Sequence, residues 1–212
     1  MFDFVVLFAF VPAAVAIVIS PGPDSIYAVT ESLKSGRTAG IAAGTGTATG
    51  VLVHTTAAVF GLSALLRTTA EAYMLVKYVG AAYLVYLGIQ LLRNDEKFEF
   101  QDEIGEHDYS ITDSYKRGVV INVSNPQVAL FVLAFFPQFV PPATNAPLQL
   151  SLLGLVYAGI SLLYLAVVAL FASQVRHLLL DSTIARRAVR YTSGSVLAGF
   201  GLKLAFEENP AV

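Results

Sequence analysis

Two short runs hold the residues best suited to chemistry: Ser20-Pro21-Gly22-Pro23-Asp24, and Asn122 with Ser124-Asn125-Pro126-Gln127 half a chain later. Both interrupt apolar stretches. Inside a bilayer, every backbone amide or carbonyl freed by such a break must find a partner in protein, water or ligand. Pro21 and Pro23 are locked in φ and lack an amide hydrogen, and Gly22 between them lets a ligand approach the backbone closely. Asp24 falls in the first turn of the helix that follows. It either caps that helix or, as a carboxylate at membrane depth, holds a substrate ammonium group or a coupling proton. Asn125 is a favoured N-cap and Pro126 a favoured first helical residue. The second run therefore either starts a new helix whose positive end receives a carboxylate, or kinks a helix against a neighbour. Asn122 and Gln127 flank it with neutral hydrogen-bonding groups. Interrupted spans in corresponding halves of a chain point to a transport site, here one for a small zwitterion.

The elements that must position these runs are membrane helices. The 212 residues are 56% hydrophobic and 13% charged, with a mean hydropathy of +0.67, whereas a soluble domain carries about a quarter charged residues. The few basic residues lie in separate short loops, and no nucleic-acid partner is expected. Absence of cysteine excludes disulfides and thiolate metal sites. His54, His107 and His177 fall in separate segments, so neither a metal nor a cofactor is expected. No nucleophile–base pair is present, which argues against an enzyme. The N-terminus lacks a basic leader and runs apolar to Ile19, reading as a first span rather than a cleaved signal.

Spans need about 20 mostly apolar residues, and six segments are expected to cross: 4–20, 39–66, 72–92, 118–140, 148–175 and 191–206. Basic residues mark cytoplasmic loops: Lys34 and Arg37 in the first, Arg93, Lys97, Lys116 and Arg117 in the third, Arg176, Arg186, Arg187 and Arg190 in the fifth. Arg67 alone sits in the second loop, while Lys77 and Lys203 near helix ends are expected to snorkel. Both termini then lie outside. The loop 94–115, with Asp95, Glu96, Glu99, Asp102, Glu103, Glu106, Asp108 and Asp113, reads as a solvated linker. It divides a single transmembrane domain, 1–212, into two three-helix repeats, about 1–93 and 116–212, of inverted topology. One repeat is expected to rock against the other around the broken helices.

In the second span Gly36, Gly40, Gly44, Gly46, Gly50 and Gly61 fall within an arc of about half a turn at 100° per residue, a face suited to close packing in lipid. His54 lies at the centre of that arc, with Thr47 beside it. It either couples protons or forms a neutral interhelical hydrogen bond. Glu31 and Lys34 are expected to pair on a helix surface. Tyr78, Tyr83, Tyr86, Tyr157 and Tyr164 read as interface or packing aromatics.

These motifs in order resemble the LysE/RhtB family of amino-acid exporters. The likeness runs from Ser20-Pro21-Gly22-Pro23-Asp24 through Gly36, Gly40, Gly50 and Gly61-Leu62. It continues in Gly80-Ala81-Ala82-Tyr83-Leu84 with Leu87-Gly88, then in Gly118, Asn122, Asn125-Pro126 and Phe135-Phe136-Pro137-Gln138-Phe139. The resemblance implies an all-α inner-membrane protein of six spans that exports amino acids or derivatives in exchange for protons. Homoserine, threonine, homoserine lactones, leucine and lysine are substrates across that family. Gln127 departs from the lysine that commonly follows Asn-Pro there, which puts the charge preference in question. A passive channel, or export of another small solute, is the alternative. A homo-oligomer in the lipid bilayer is left open.

Overall fold

The computed structural model describes residues 4–20, 22–65, 70–93, 110–140 and 145–206, all in helices and their junctions. Pro21, Arg67, and the stretch 94–109 with Lys97, His107 and every acidic residue of that loop except Asp113 lie outside the described residues. The helices are α1 (Phe4–Ile19), α2 (Pro23–Ser35), α3 (Arg37–Leu65), α4 (Ala70–Arg93), α5 (Ile111–Val123), α6 (Pro126–Phe135), α7 (Ala146–Leu170), α8 (Ala172–Asp181) and α9 (Thr183–Phe206).

Local chemistry explains most boundaries. Pro23 opens α2, and Gly36 closes it at a φ of 88°, a conformation that favours glycine. Ser110 Oγ accepts the amide of Asp113 at 3.2 Å and donates to its carboxylate at 2.7 Å. This reciprocal cap starts α5 at Ile111. The fourth helix therefore begins well before the expected residue 118, and residues 111–115 of the expected loop are helical. Asn125 Oδ1 accepts from Gln127 N at 3.0 Å and starts α6. The expected fifth span to residue 175 breaks at Phe171 and continues as α8. Ser182 Oγ then accepts from Ala185 N at 3.1 Å at the start of α9. Arg176 thus sits in α8, and Arg186, Arg187 and Arg190 in the first turns of α9, rather than in a loop.

Among the described residues, Ala146–Leu170 is long and apolar enough to cross a membrane unaided. Two bent pairs qualify as interrupted spans: Phe10–Ile19 with Pro23–Ser35, bent by 53°, and Ile111–Val123 with Pro126–Phe139, bent by 58°. Helices α3, α4 and α9, of 29, 24 and 24 residues, have the length to cross, since 24 residues rise about 36 Å. Glycine and threonine in α3, and charge in α4 and α9, dilute their apolarity.

Glycines set the closest approaches. A Cβ at Gly46 would meet the carbonyl of Tyr115, and one at Gly118 that of Ala43, so α3 and α5 cross backbone to backbone. Gly44 faces Leu165 of α7 and Gly40 faces Ser32 of α2, whereas Gly61 faces open space. The glycine arc is thus shared among three neighbours, and Gly36 belongs to the end of α2. A second close crossing joins α4 to α9, where a Cβ at Gly201 would lie 2.7 Å from Ala81 O and one at Gly194 2.8 Å from Gly88 O. Both crossings tie the first half of the chain to the second. Rigid rocking of one half against the other, expected from the sequence, would have to break them.

Beyond the breaks, Phe10 of α1 packs against Phe135 and Phe136 at ring separations of 5.5 and 5.4 Å. Phe131 joins at 4.7 Å from Phe135 and 5.3 Å from Tyr157. Two charged residues depart from expectation. Lys77 does not snorkel: it is 4% exposed, with Nζ 5.9 Å from the centre of the Tyr78 ring. Glu31 does not lie on a helix surface: it is 3% exposed, and its carboxylate accepts a 2.9 Å bond from Ser114 Oγ of α5. Tyr27 OH donates to Ser114 O at 3.1 Å.

Candidate functional site

The two interruptions meet. Asp24, in the first turn of α2, lies against Asn122, in the last turn of α5, whose Nδ2 donates to Asp24 Oδ2 at 3.0 Å. The other oxygen, Asp24 Oδ1, is buried with no protein partner, as is Asn122 Oδ1. Asn122 is fully buried and pressed against α3, where a Cβ at Gly50 would lie 2.6 Å from its Oδ1. His54 Nε2 lies 3.1 Å from the main-chain carbonyl of Asn122. That carbonyl can only accept, so Nε2 donates. The ring thereby holds the last turn of α5 in place from behind.

Asp24, Asn122, Asn125, Ser20, Gly22 and Gln127 all line one cavity. Its volume is about 40 Å³, room for roughly three waters. Of the remaining sequence-expected residues, Pro23 and Pro126 are exposed and shape the backbone rather than the lining. His54 stands behind Asn122, outside the lining. Pro21 lies outside the described residues. Asn125 spends its carboxamide oxygen on Gln127 N, so α6 presents a self-capped N-terminus. Gly22 gives α2 no side-chain cap, and Asp24 itself supplies the negative charge that the first turn favours.

Sequence reasoning missed part of the wall. Ser25, Tyr157, Ser161 and Tyr164 line the cavity. Their signal was periodicity: Tyr157, Ser161 and Tyr164 recur at i, i+4 and i+7 on an otherwise apolar helix. Thr47 stands apart from its neighbours. Thr45, Thr49, Thr55 and Thr56 each donate to a carbonyl one turn back, a bond that lets hydroxyls sit in an apolar helix. Thr47 lines the cavity at 2% exposure with its hydroxyl unpartnered. Among the described residues, no Lys, Arg or His lines the cavity, and no three His, Cys, Asp or Glu converge on a metal-sized point. The arrangement suits a small ligand with hydrogen-bond donors on one end.

The LysE type translocator family matches residues 15–208 of the chain. The chain belongs to this family. It is similar to an uncharacterized membrane protein of Vibrio cholerae, 29% identical over 203 residues that cover 96% of this chain and 98% of the relative. A membrane protein of Pseudomonas aeruginosa is 31% identical over 206 residues, 92% and 93% of the two chains. The homoserine/homoserine lactone efflux protein of Salmonella typhimurium is 31% identical over 151 residues, 69% of this chain and 70% of that one. No solved structure matches the chain. As a LysE translocator it is a membrane transport protein, and the resemblance carried by the Ser20–Asp24 run and the Asn125-Pro126 break extends over nearly its whole length.

Proposed function

We propose that this LysE translocator exports a small amino acid or amino-acid derivative across the cytoplasmic membrane in exchange for protons. The observation that carries the reading is the meeting of two interrupted spans at Asp24 and Asn122, around a cavity that holds an unpartnered carboxylate oxygen. A substrate ammonium group and a proton would compete for that oxygen. Such competition is what obligate exchange needs, because the carboxylate cannot hold both. Ser20, Gly22, Asn122, Asn125 and Gln127 would complete the site, with Pro21, Pro23 and Pro126 keeping the breaks open. His54 is the second candidate for proton coupling. Efflux by the Salmonella relative favours the same substrate class.

The architecture that fits is six spans: α1 with α2, α3, α4, α5 with α6, α7 with α8, and α9. The two bent spans, at 53° and 58°, each begin a half of three spans, which supports an inverted repeat within one domain. Arginines in α8 and at the start of α9, with Lys34, Arg37, Lys116 and Arg117, favour both termini outside. With room for only about three waters, the cavity fits a closed state that must widen for an amino acid.

Purified protein in liposomes with an imposed pH gradient tests this reading against homoserine, threonine, leucine and lysine. Uphill accumulation of at least one, abolished by an uncoupler, is the expected result. Downhill flux indifferent to the uncoupler would identify a channel instead, and no flux of any would remove the proposal.

A further inference from the structure

We infer that this site, taken as the exporter's substrate site, prefers a small primary amine whose carboxyl group is masked as an amide, ester or lactone over the free amino acid. The preference follows from charge balance. The cavity wall contributes one carboxylate, Asp24, and, among the described residues, no cationic side chain. A bound zwitterion adds no net charge and leaves the loaded site negative at membrane depth. A bound monocation leaves it neutral. An uncompensated charge away from water is strongly disfavoured, whereas a paired and hydrogen-bonded one is tolerated.

The distribution of donors leads the same way. A substrate carboxylate would look for amides at a helix N-terminus, yet α6 opens on Pro126, which has no amide hydrogen, and its Gln127 N is already bonded to Asn125 Oδ1 at 3.0 Å. The first turn of α2 carries Asp24, whose charge already answers that helix end and would repel a second carboxylate. His54 donates to the Asn122 main chain and does not line the cavity. What remains facing the ligand is neutral: Gln127, Thr47, Ser161 and Tyr157. Hydroxyls and an amide bond the carbonyl oxygen of an ester, amide or lactone without having to neutralise it. The unpartnered Asp24 Oδ1 takes the ammonium end.

The test is equilibrium binding to the purified chain in detergent, at roughly pH 7, where α-amino groups are mostly protonated. L-alaninamide, L-alanine methyl ester and L-homoserine lactone are each compared with L-alanine and L-homoserine. The masked amines are expected to bind at least about tenfold tighter than their parent acids, the ratio attached to one charge-assisted contact. In Asp24→Asn both series weaken and the preference falls below about threefold, because the site no longer needs a net cation. In Gln127→Lys, a cation on the wall should shift the ratio toward the free acids by at least about tenfold. Equal or tighter binding of the free acids by the wild-type chain overturns this inference while leaving gradient-driven export of amino acids standing. Binding of neither series, with export of the free acids observed in liposomes, overturns it too. Failure of both binding and export removes the exporter reading along with it.

Discussion

Gly50 sits where α3 presses on the side chain that organises the cavity, and replacing it with alanine separates packing from function. A Cβ there would lie 2.6 Å from Asn122 Oδ1 and 2.7 Å from Asn122 Cβ, so Asn122 must retreat by about 0.8 Å to reach ordinary contact. Asn122 is buried between α3 and α2 and has nowhere to go without stretching its 3.0 Å bond to Asp24. Overpacking of this kind costs about 1–3 kcal/mol, and a strained bond to a charged group adds up to about 2 kcal/mol. The gain in helix propensity from glycine to alanine, about 1 kcal/mol, offsets only part. Gly61→Ala in the same helix is the control, since nothing lies within 4 Å of its Cβ position. Thermal unfolding in detergent should fall by several degrees for Gly50→Ala and rise by about 2–4 °C for Gly61→Ala, the shift attached to 1 kcal/mol at this chain length. Gradient-driven export should drop at least about tenfold in the first and hold in the second. Adding Asn122→Ala to Gly50→Ala should recover more than about 1 kcal/mol relative to additivity. If Gly50→Ala behaves like Gly61→Ala in both assays, the close approach of α3 to Asn122 does not organise the site.

Asp24→Asn should abolish uphill export while the protein stays folded, since it removes a buried carboxylate with an unpartnered oxygen and keeps an acceptor for Asn122; export in liposomes and the unfolding temperature are the paired readouts. Glu31→Ala should destabilise by about 2 kcal/mol, because it strips a charged acceptor from buried Ser114, and Glu31→Gln should recover most of that in chemical denaturation. Phe135→Ala should cost about 3–5 kcal/mol in the same measurement, as its fully buried ring touches Phe10, Phe131 and Phe139.

Features legible in the sequence were those written by neighbours along the chain. Proline at Pro23 and Pro126 and the asparagine before the latter mark helix starts through backbone sterics and capping alone, and both starts stand where those residues put them. Ser110-x-x-Asp113 carried the same kind of local signal, but the crowd of acidic residues before it read as solvated loop and concealed the cap. Pairings between distant elements were not legible. Nothing near Asp24 in the chain names Asn122 as its partner, and nothing near Glu31 says that α5 will bury it, so a glutamate three residues before a lysine looked like a surface pair. Lys77 failed for the same reason: its exposure depends on what α4 packs against. The hydroxyls of α7 were visible as a periodic stripe, yet only the fold shows which way that stripe turns.

The two glycine crossings leave little slack in α3 with α5 and in α4 with α9. A Cβ at Gly80 would likewise meet Ala134 O, which clamps α6 to α4, so the arm without such a crossing is α1, attached through Ser20 to Gly22. That arm carries Phe10, whose ring packs against Phe135 and Phe136. Opening toward that side therefore means lifting one hinged flap off an aromatic latch, while the clamped helices stay still as a chassis.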